Sequence, residues 1–208
     1  MVELFTSQGC NSCPPADVVL GELAERDDVL PLSFHVTYWD RLGWADSFGL
    51  EAATARQEAY ARTLGLRGLY TPQMVIGGRI DVVGSSRSRV LAAINLLASH
   101  GQSAPAITVE NGTASLPGGK VGATVWLVAF DEAHDVKISR GENAGRTLRY
   151  HRVVRDIEQL GHWKGAPIEL ELPLASHTAE GRDGLAILVQ RDSDGAILTA
   201  ARVDLQPG

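Results

Sequence analysis

Both cysteines of this 208-residue chain fall in one stretch, ELFTSQGCNSCPPAD, with two residues between them. Cys10 and Cys13 stand between a run that reads as a strand, VELFT (2–6), and one that reads as a helix opening at Pro14 and Pro15. Prolines suit a first helical turn, where a missing N–H costs little. Ala16, Val19, Leu20 and Leu23 then follow at helical spacing. Three uses are open to such a pair: a redox couple, half of a metal site, or a structural staple. A bridge over two residues closes so short a loop that it restricts little of the unfolded chain, which weakens the staple. A cysteine at a helix N-terminus meets free N–H groups and the positive dipole end, which stabilise its thiolate. Cys10, nearer the exposed end, is then the attacking sulfur, and Cys13, one turn on, the more buried resolving one.

Downstream, VLPLSFHVTYWD reads as a second strand, and EAATARQEAYARTLG (51–65) as a helix stopped by Gly65. Gly77-Gly78 between QMVI and RIDVV is a two-residue hairpin signal. SSRSRVLAAINLLASH gives a third helix, with Val90, Leu91, Ile94, Leu97 and Ala98 at its apolar spacing. Around SHGQSAPA (99–106) the character changes to short apolar runs broken by turn residues, with no good helix caps. About seven strands in a hundred residues suggest a β-sandwich of immunoglobulin-like size. YHRVVRDIEQL fits a helix as well as a strand. The expected architecture is an α/β domain over residues 1–102 followed by an all-β, sandwich-like domain over 103–208.

The hydrophobic fraction of 44% and charged fraction of 21% are those of an ordinary globular chain. A net charge of −6 argues against nucleic acid as partner. No apolar run approaches the ~20 residues that span a bilayer. Strand-like sequence begins directly after Met1, so no signal peptide is read; a mature domain behind a new Met has the same appearance.

Thr71-Pro72 stands directly before the Gly-Gly hairpin. With Cys10-x-x-Cys13 between strand and helix, and a hairpin and last helix closing the half, residues 1–100 resemble the thioredoxin-like superfamily. That resemblance implies a mixed central sheet flanked by helices, a cis Pro72 beside the cysteine pair, and Thr71 offering backbone hydrogen bonds to a substrate. It also implies a redox-active Cys10–Cys13 disulfide with no cofactor. VELFTSQGCNSCPPAD, YWDRLGW, ARQEAYARTLGLRGLYTPQMVIGG and GRTLRYHRVVRDIEQLGHWKG resemble, over nearly the whole chain, an uncharacterised family of exported bacterial proteins. Its members carry a thioredoxin-like domain and a C-terminal β-domain. The chain departs from thioredoxin in Gly9, where thioredoxin has Trp, in Pro14-Pro15 after rather than between the cysteines, and in the inserted residues 38–68.

TYWDRLGWADSF follows the second strand, so in a parallel arrangement its loop leaves the same sheet edge as the cysteines. Tyr38, Trp39 and Trp44 are therefore candidates for the wall of a substrate groove, the plain alternative being core beneath the inserted helix. Glu3 lies one position out of step with thioredoxin's buried acid and is a candidate for proton transfer; the plain alternative is an exposed strand residue. For a metal, Cys10 and Cys13 supply two soft ligands and His35 a third, with no convincing fourth. His100, His134, His151, His162 and His177 are scattered and read as surface residues. Arg146, Arg149, Arg152 and Arg155 recur every three residues, which reads as a solvated face or a basic stripe for an acidic partner. No Gly-x-Ser-x-Gly elbow supports a hydrolase.

The first expectation is a thiol–disulfide oxidoreductase of the periplasm or another extracytoplasmic space, acting on protein or small thiol clients or a redox partner. The alternatives are a copper or zinc carrier, and an interaction protein whose pair stays oxidised.

Overall fold

The computed structural model describes residues 1–99, 106–119 and 121–205. The first half runs β1 (Val2–Thr6), α1 (Pro14–Ala24), β2 (Pro31–His35), one 3₁₀ turn (Asp40–Leu42), α2 (Glu51–Thr63), β3 (Gln73–Ile76), β4 (Ile80–Val83) and α3 (Arg87–Ser99). β1 and β2 pair in parallel, and β3 runs antiparallel to β1. The β3–β4 hairpin pairs Ile76 with Ile80 across three residues, Gly77, Gly78 and Arg79. Gly77 and Gly78, at φ 58° and 68°, take the left-handed backbone of the turn that the Arg79 N–H closes on the Ile76 carbonyl.

The second half gives β5 (Thr108–Glu110), β6 (Thr113–Leu116), β7 (Ala123–Lys137), β8 (Thr147–Trp163), β9 (Ile168–Glu171), α4 (Leu174–Ala179), β10 (Gly184–Arg191) and β11 (Ile197–Asp204). Its long strands join those of the first half in one curled mixed sheet of order β11-β10-β7-β8-β2-β1-β3-β4. The join is a parallel pairing of β2 with β8 at Ser33 and Val153. β5, β6 and β9 form a separate three-stranded sheet. The boundary expected between residues 102 and 103 lies outside the described residues, as does His100.

Three apolar layers follow from strand alternation. Leu4 and Val2 of β1 pack with Leu20 and Leu23 of α1 and with Val90 of α3. Phe5, Leu32 and Phe34, on the opposite face, pack with Tyr60 of α2 and continue into Val128, Phe130 and Leu188 of the second half. Val125, Leu127, Leu185 and Ile187 pack against Leu116 of β6 and Leu172, which the three-stranded sheet brings over them.

One open reading is decided here and one expectation changes. YHRVVRDIEQL is strand throughout, because β7 offers it an antiparallel partner from Ala123↔Trp163 to Lys137↔Thr147; that non-local pairing outweighs a local helical period. The second half also contains a helix, α4, whose six residues are too few to show a periodic signal.

Candidate redox site

β1 and β2, being parallel, deliver their following loops to one edge of the sheet. The first carries the cysteines, joined as a Cys10–Cys13 disulfide with Cα atoms 5.4 Å apart. Cys13 is the residue before α1, and Pro14 and Pro15 take its first two positions. They bring no N–H groups, and those of Ala16 and Asp17 both bond back to the Cys13 carbonyl. The helix end therefore does not offer the free amides expected for a thiolate. Cys10 is also not the exposed member: the two cysteines are 1% and 0% accessible.

Hydroxyl groups meet Cys10 instead. Thr71 Oγ1 donates to Cys10 Sγ at 3.2 Å, and Ser12 Oγ lies 3.3 Å from the same sulfur. Trp39 Nε1 donates to Thr71 Oγ1 at 2.8 Å, so the indole occupies a threonine acceptor position and leaves the hydroxyl proton for the sulfur. The Thr71–Pro72 peptide bond is cis. A Cβ at Gly9 would lie 3.3 Å from Trp39 Cβ, so the small residue before Cys10 is what admits this indole.

The other aromatic candidates divide. Trp44 Nε1 donates to Gln8 Oε1 at 2.8 Å, which places it beside the cysteine loop. Tyr38 donates to Gln57 on α2 at 3.2 Å, and burial raises its phenol to about 12. Glu3 is brought nowhere near the pair. It lies on the α2 face of β1, fully buried, held by Arg56 Nε and Nη2 and by the Tyr60 hydroxyl.

The acid that does stand near the cysteines is Asp17, one helical turn after Cys13 and missed in the sequence. Its Oδ1 accepts from Thr6 Oγ1 at 2.9 Å, while Oδ2 has no hydrogen-bond partner. Burial pushes its carboxyl up to about 7, against the opposing pull of His35 and the Thr6 hydrogen bond. His35, Thr6's partner across the β1–β2 pairing, bonds Asp46 Oδ2 through Nδ1 at 2.8 Å, and its Nε2 is unpartnered. Burial also works to raise Asp46, but His35 and the amides of Gln8 and Phe48 outweigh it and hold the carboxyl low. Tyr150 packs edge-on to His35 with ring centroids 4.9 Å apart, and burial raises its phenol, aided by Asp17 and Asp46. Asp17, His35, Asp46 and Tyr150 thus form one buried, electrically coupled group beneath the pair.

His35 is committed to Asp46, and among the described residues no group of three or more His, Cys, Asp or Glu is arranged to hold a metal ion. His177 is buried rather than on the surface, between Glu158 and Glu180. The four arginines make no single stripe. Arg146 and Arg149 are exposed, but Arg152 is buried against the Ala24 carbonyl and Arg155 reaches Asp131.

Three further hydrogen bonds to the cysteine loop come from the tip between β7 and β8. Asn143 Nδ2 donates to the carbonyls of Gln8 and Cys10, and Glu142 Oε2 accepts from the Asn11 N–H. GENAG reads in sequence as a turn, and nothing local marks it as part of a site.

A family model described as "Protein of unknown function (DUF1223)" matches residues 1–190. No curated protein matches the chain. Among solved structures, the X-ray crystal structure of a protein from Agrobacterium tumefaciens is similar, with 33% identity and a TM-score of 0.84. That similarity covers 100% of this chain and 94% of the other.

Proposed function

The chain belongs to this family of proteins of unknown function, and from its site we propose that it is a thiol–disulfide oxidoreductase on a thioredoxin-like scaffold. The observation that carries the reading is the convergence on Cys10 Sγ of the Thr71 hydroxyl, oriented by Trp39, directly before a cis proline. A hydroxyl aimed at a sulfur stabilises its thiolate, which is the attacking form in disulfide exchange.

In the reducing direction, the Cys10 thiolate attacks a client disulfide, forming a Cys10–client bond and releasing one client thiolate. Cys13 loses its proton, attacks Cys10 Sγ and closes the Cys10–Cys13 bond as the second client sulfur leaves. Two electrons pass to the client, and the released thiolates take up two protons. The oxidising direction is the reverse. Asp17, ionising near neutrality one turn from Cys13, suits the Cys13 proton better than Glu3, which is already paired with Arg56.

The pair itself carries the electrons, with no cofactor. Pro72 and the Thr71 backbone form the floor for an extended client; Trp39 and Trp44 form its wall, and Tyr38 backs Trp39 at 6.1 Å between ring centroids. Residues 1–102 supply this unit, and 103–208 a sandwich-like β unit that steadies it. A bridged pair suits an oxidising compartment, so the site of action is the cell envelope, with protein or small thiols as clients. No helix among the described residues is long and apolar enough to cross a membrane.

Equilibration of the pair with glutathione buffers tests the reading: a potential between those of thioredoxin-like and strongly oxidising proteins supports it. The near-complete burial of both sulfurs favours a second reading, a permanently closed bridge on an interaction protein. A pair that dithiothreitol cannot open in the folded protein selects that second reading.

A further inference from the structure

The β7–β8 hairpin ends against the cysteine loop, although it belongs to the other half of the chain. Asn143 is 1% exposed; its Nδ2 lies 2.9 Å from both the Gln8 and Cys10 carbonyl oxygens, and its Oδ1 accepts from Arg146 at 2.9 Å. Glu142 Oε2 lies 3.2 Å from the Asn11 nitrogen. The tip is rooted by Ile138, fully buried among Phe48, Leu148, Tyr150 and Val153. Gly141, at φ 77°, brings it against Trp44, whose Cβ would lie 3.1 Å from a Cβ there.

We propose that this hairpin tip is a working part of the redox centre: Asn143 positions Cys10, and Glu142 sets how readily its sulfur reacts. The proposal rests on the thiol–disulfide reading of the pair.

The thiolate of Cys10 depends on which donors are free to reach it. A thiolate at the start of a helix is ordinarily stabilised by the amides that follow it. Here Pro14 and Pro15 have none, and the Cys13 N–H bonds the Cys10 carbonyl. The first amide after Cys10, that of Asn11, is taken by Glu142, which also brings a carboxylate charge to the backbone next to Cys10. Both effects oppose the thiolate, while the Thr71 and Ser12 hydroxyls favour it. Glu142 therefore makes the reduced pair less stable and the couple more reducing. Asn143 acts on geometry: it ties the buried Cys10 carbonyl to the second half of the molecule, so the loop cannot shift to expose Cys10 Sγ without breaking that bond.

The test uses the full chain with Glu142→Gln and Asn143→Ala. In the reduced protein, the pH dependence of Cys10 alkylation by iodoacetamide is expected to move down by about 0.3 units in Glu142→Gln. That doubles the thiolate fraction on the acid side, the scale of one exposed charge. The glutathione equilibrium should shift about twofold toward the reduced pair in the same variant, with thermal unfolding unchanged. In Asn143→Ala, dithiothreitol should open the disulfide about fivefold faster, the equivalent of one hydrogen bond. If Asn143→Ala does not fold, Glu142→Gln carries the test alone, since its side chain is exposed. An unchanged alkylation profile and glutathione equilibrium in Glu142→Gln, beside a wild type that exchanges normally, overturns the proposal and leaves the thiol–disulfide reading standing. A wild-type pair that neither opens with dithiothreitol nor alkylates at Cys10 overturns both.

Discussion

Asn143 Nδ2 lies 2.9 Å from the carbonyl oxygen of Cys10, a hydrogen bond across 133 residues of chain. A buried carbonyl left unpaired costs roughly 1–3 kcal/mol, so this contact binds the cysteine loop to a part of the molecule distant in sequence. The reactivity of the pair therefore depends on both halves of the protein, and substitutions in either should register there.

The division of labour between the sulfurs is the first expectation. Cys10→Ser should abolish dithiothreitol-linked exchange. Cys13→Ser should accumulate a mixed disulfide with glutathione, seen as the added mass of one glutathione on the intact protein. Accumulation in Cys10→Ser instead would reverse the assigned roles.

Thr71→Val removes the hydroxyl that donates to Cys10 Sγ and strands the Trp39 indole N–H. Alkylation of Cys10 should then need a pH higher by about 0.5–1 unit, the effect of losing one hydrogen bond to a thiolate. Thr71→Ser should restore the profile. Trp39→Phe should give a smaller shift, and the double variant should shift less than the two single effects combined, because one relay is cut twice.

Asp17 gives stability a pH dependence with a definite sign. Its folded-state value, about 7, stands above the 3.8 of a free carboxyl, so the folded protein binds that proton more tightly than the unfolded chain does. The contribution is fully present below about pH 4 and is lost as pH rises through 7, on the order of 4 kcal/mol if the whole shift is realised. Asp17→Asn, which keeps an acceptor for Thr6, should gain stability relative to wild type across that window. Urea midpoints of both proteins from pH 4 to 8 measure the difference, and parallel curves would refute the assignment.

On the opposite face of β1, Arg56→Met should destabilise by about 3–5 kcal/mol, because it leaves Glu3 as a buried charge without its partner. Glu3→Gln added to Arg56→Met should recover part of that loss. Urea unfolding of the single and double variants decides it. A loss equal in both would show that the arginine acts through packing on Phe34 and Tyr60 alone.

The first half was legible because its signals are local. Two prolines at a helix start, a Gly-Gly hairpin and apolar residues at period 3.6 each determine conformation within a few residues. Trp39 could be named as a site residue from its place at the sheet edge and Thr71 from the resemblance to the thioredoxin-like superfamily, though their hydrogen bond to each other could not. Asp17 escaped because a carboxylate in a first helical turn has an ordinary reason to be there, the helix dipole. Nothing near it in sequence shows that the side chain is buried. Asn143 and Glu142 escaped for the complementary reason: a turn sequence carries no sign of what the turn touches. The same holds for β8, whose pairing with β2 depends on a strand more than a hundred residues earlier.

That pairing has a consequence for the order in which the protein matures. The cysteine loop is made more than a hundred residues ahead of β8 and of the hairpin tip before it. During that interval the thiols of Cys10 and Cys13 have neither the Asn143 tether nor the cover of the second half, and both are open to whatever oxidant or thiol is at hand. The pair that is buried and bridged in the folded protein is therefore, in the nascent chain, an accessible dithiol.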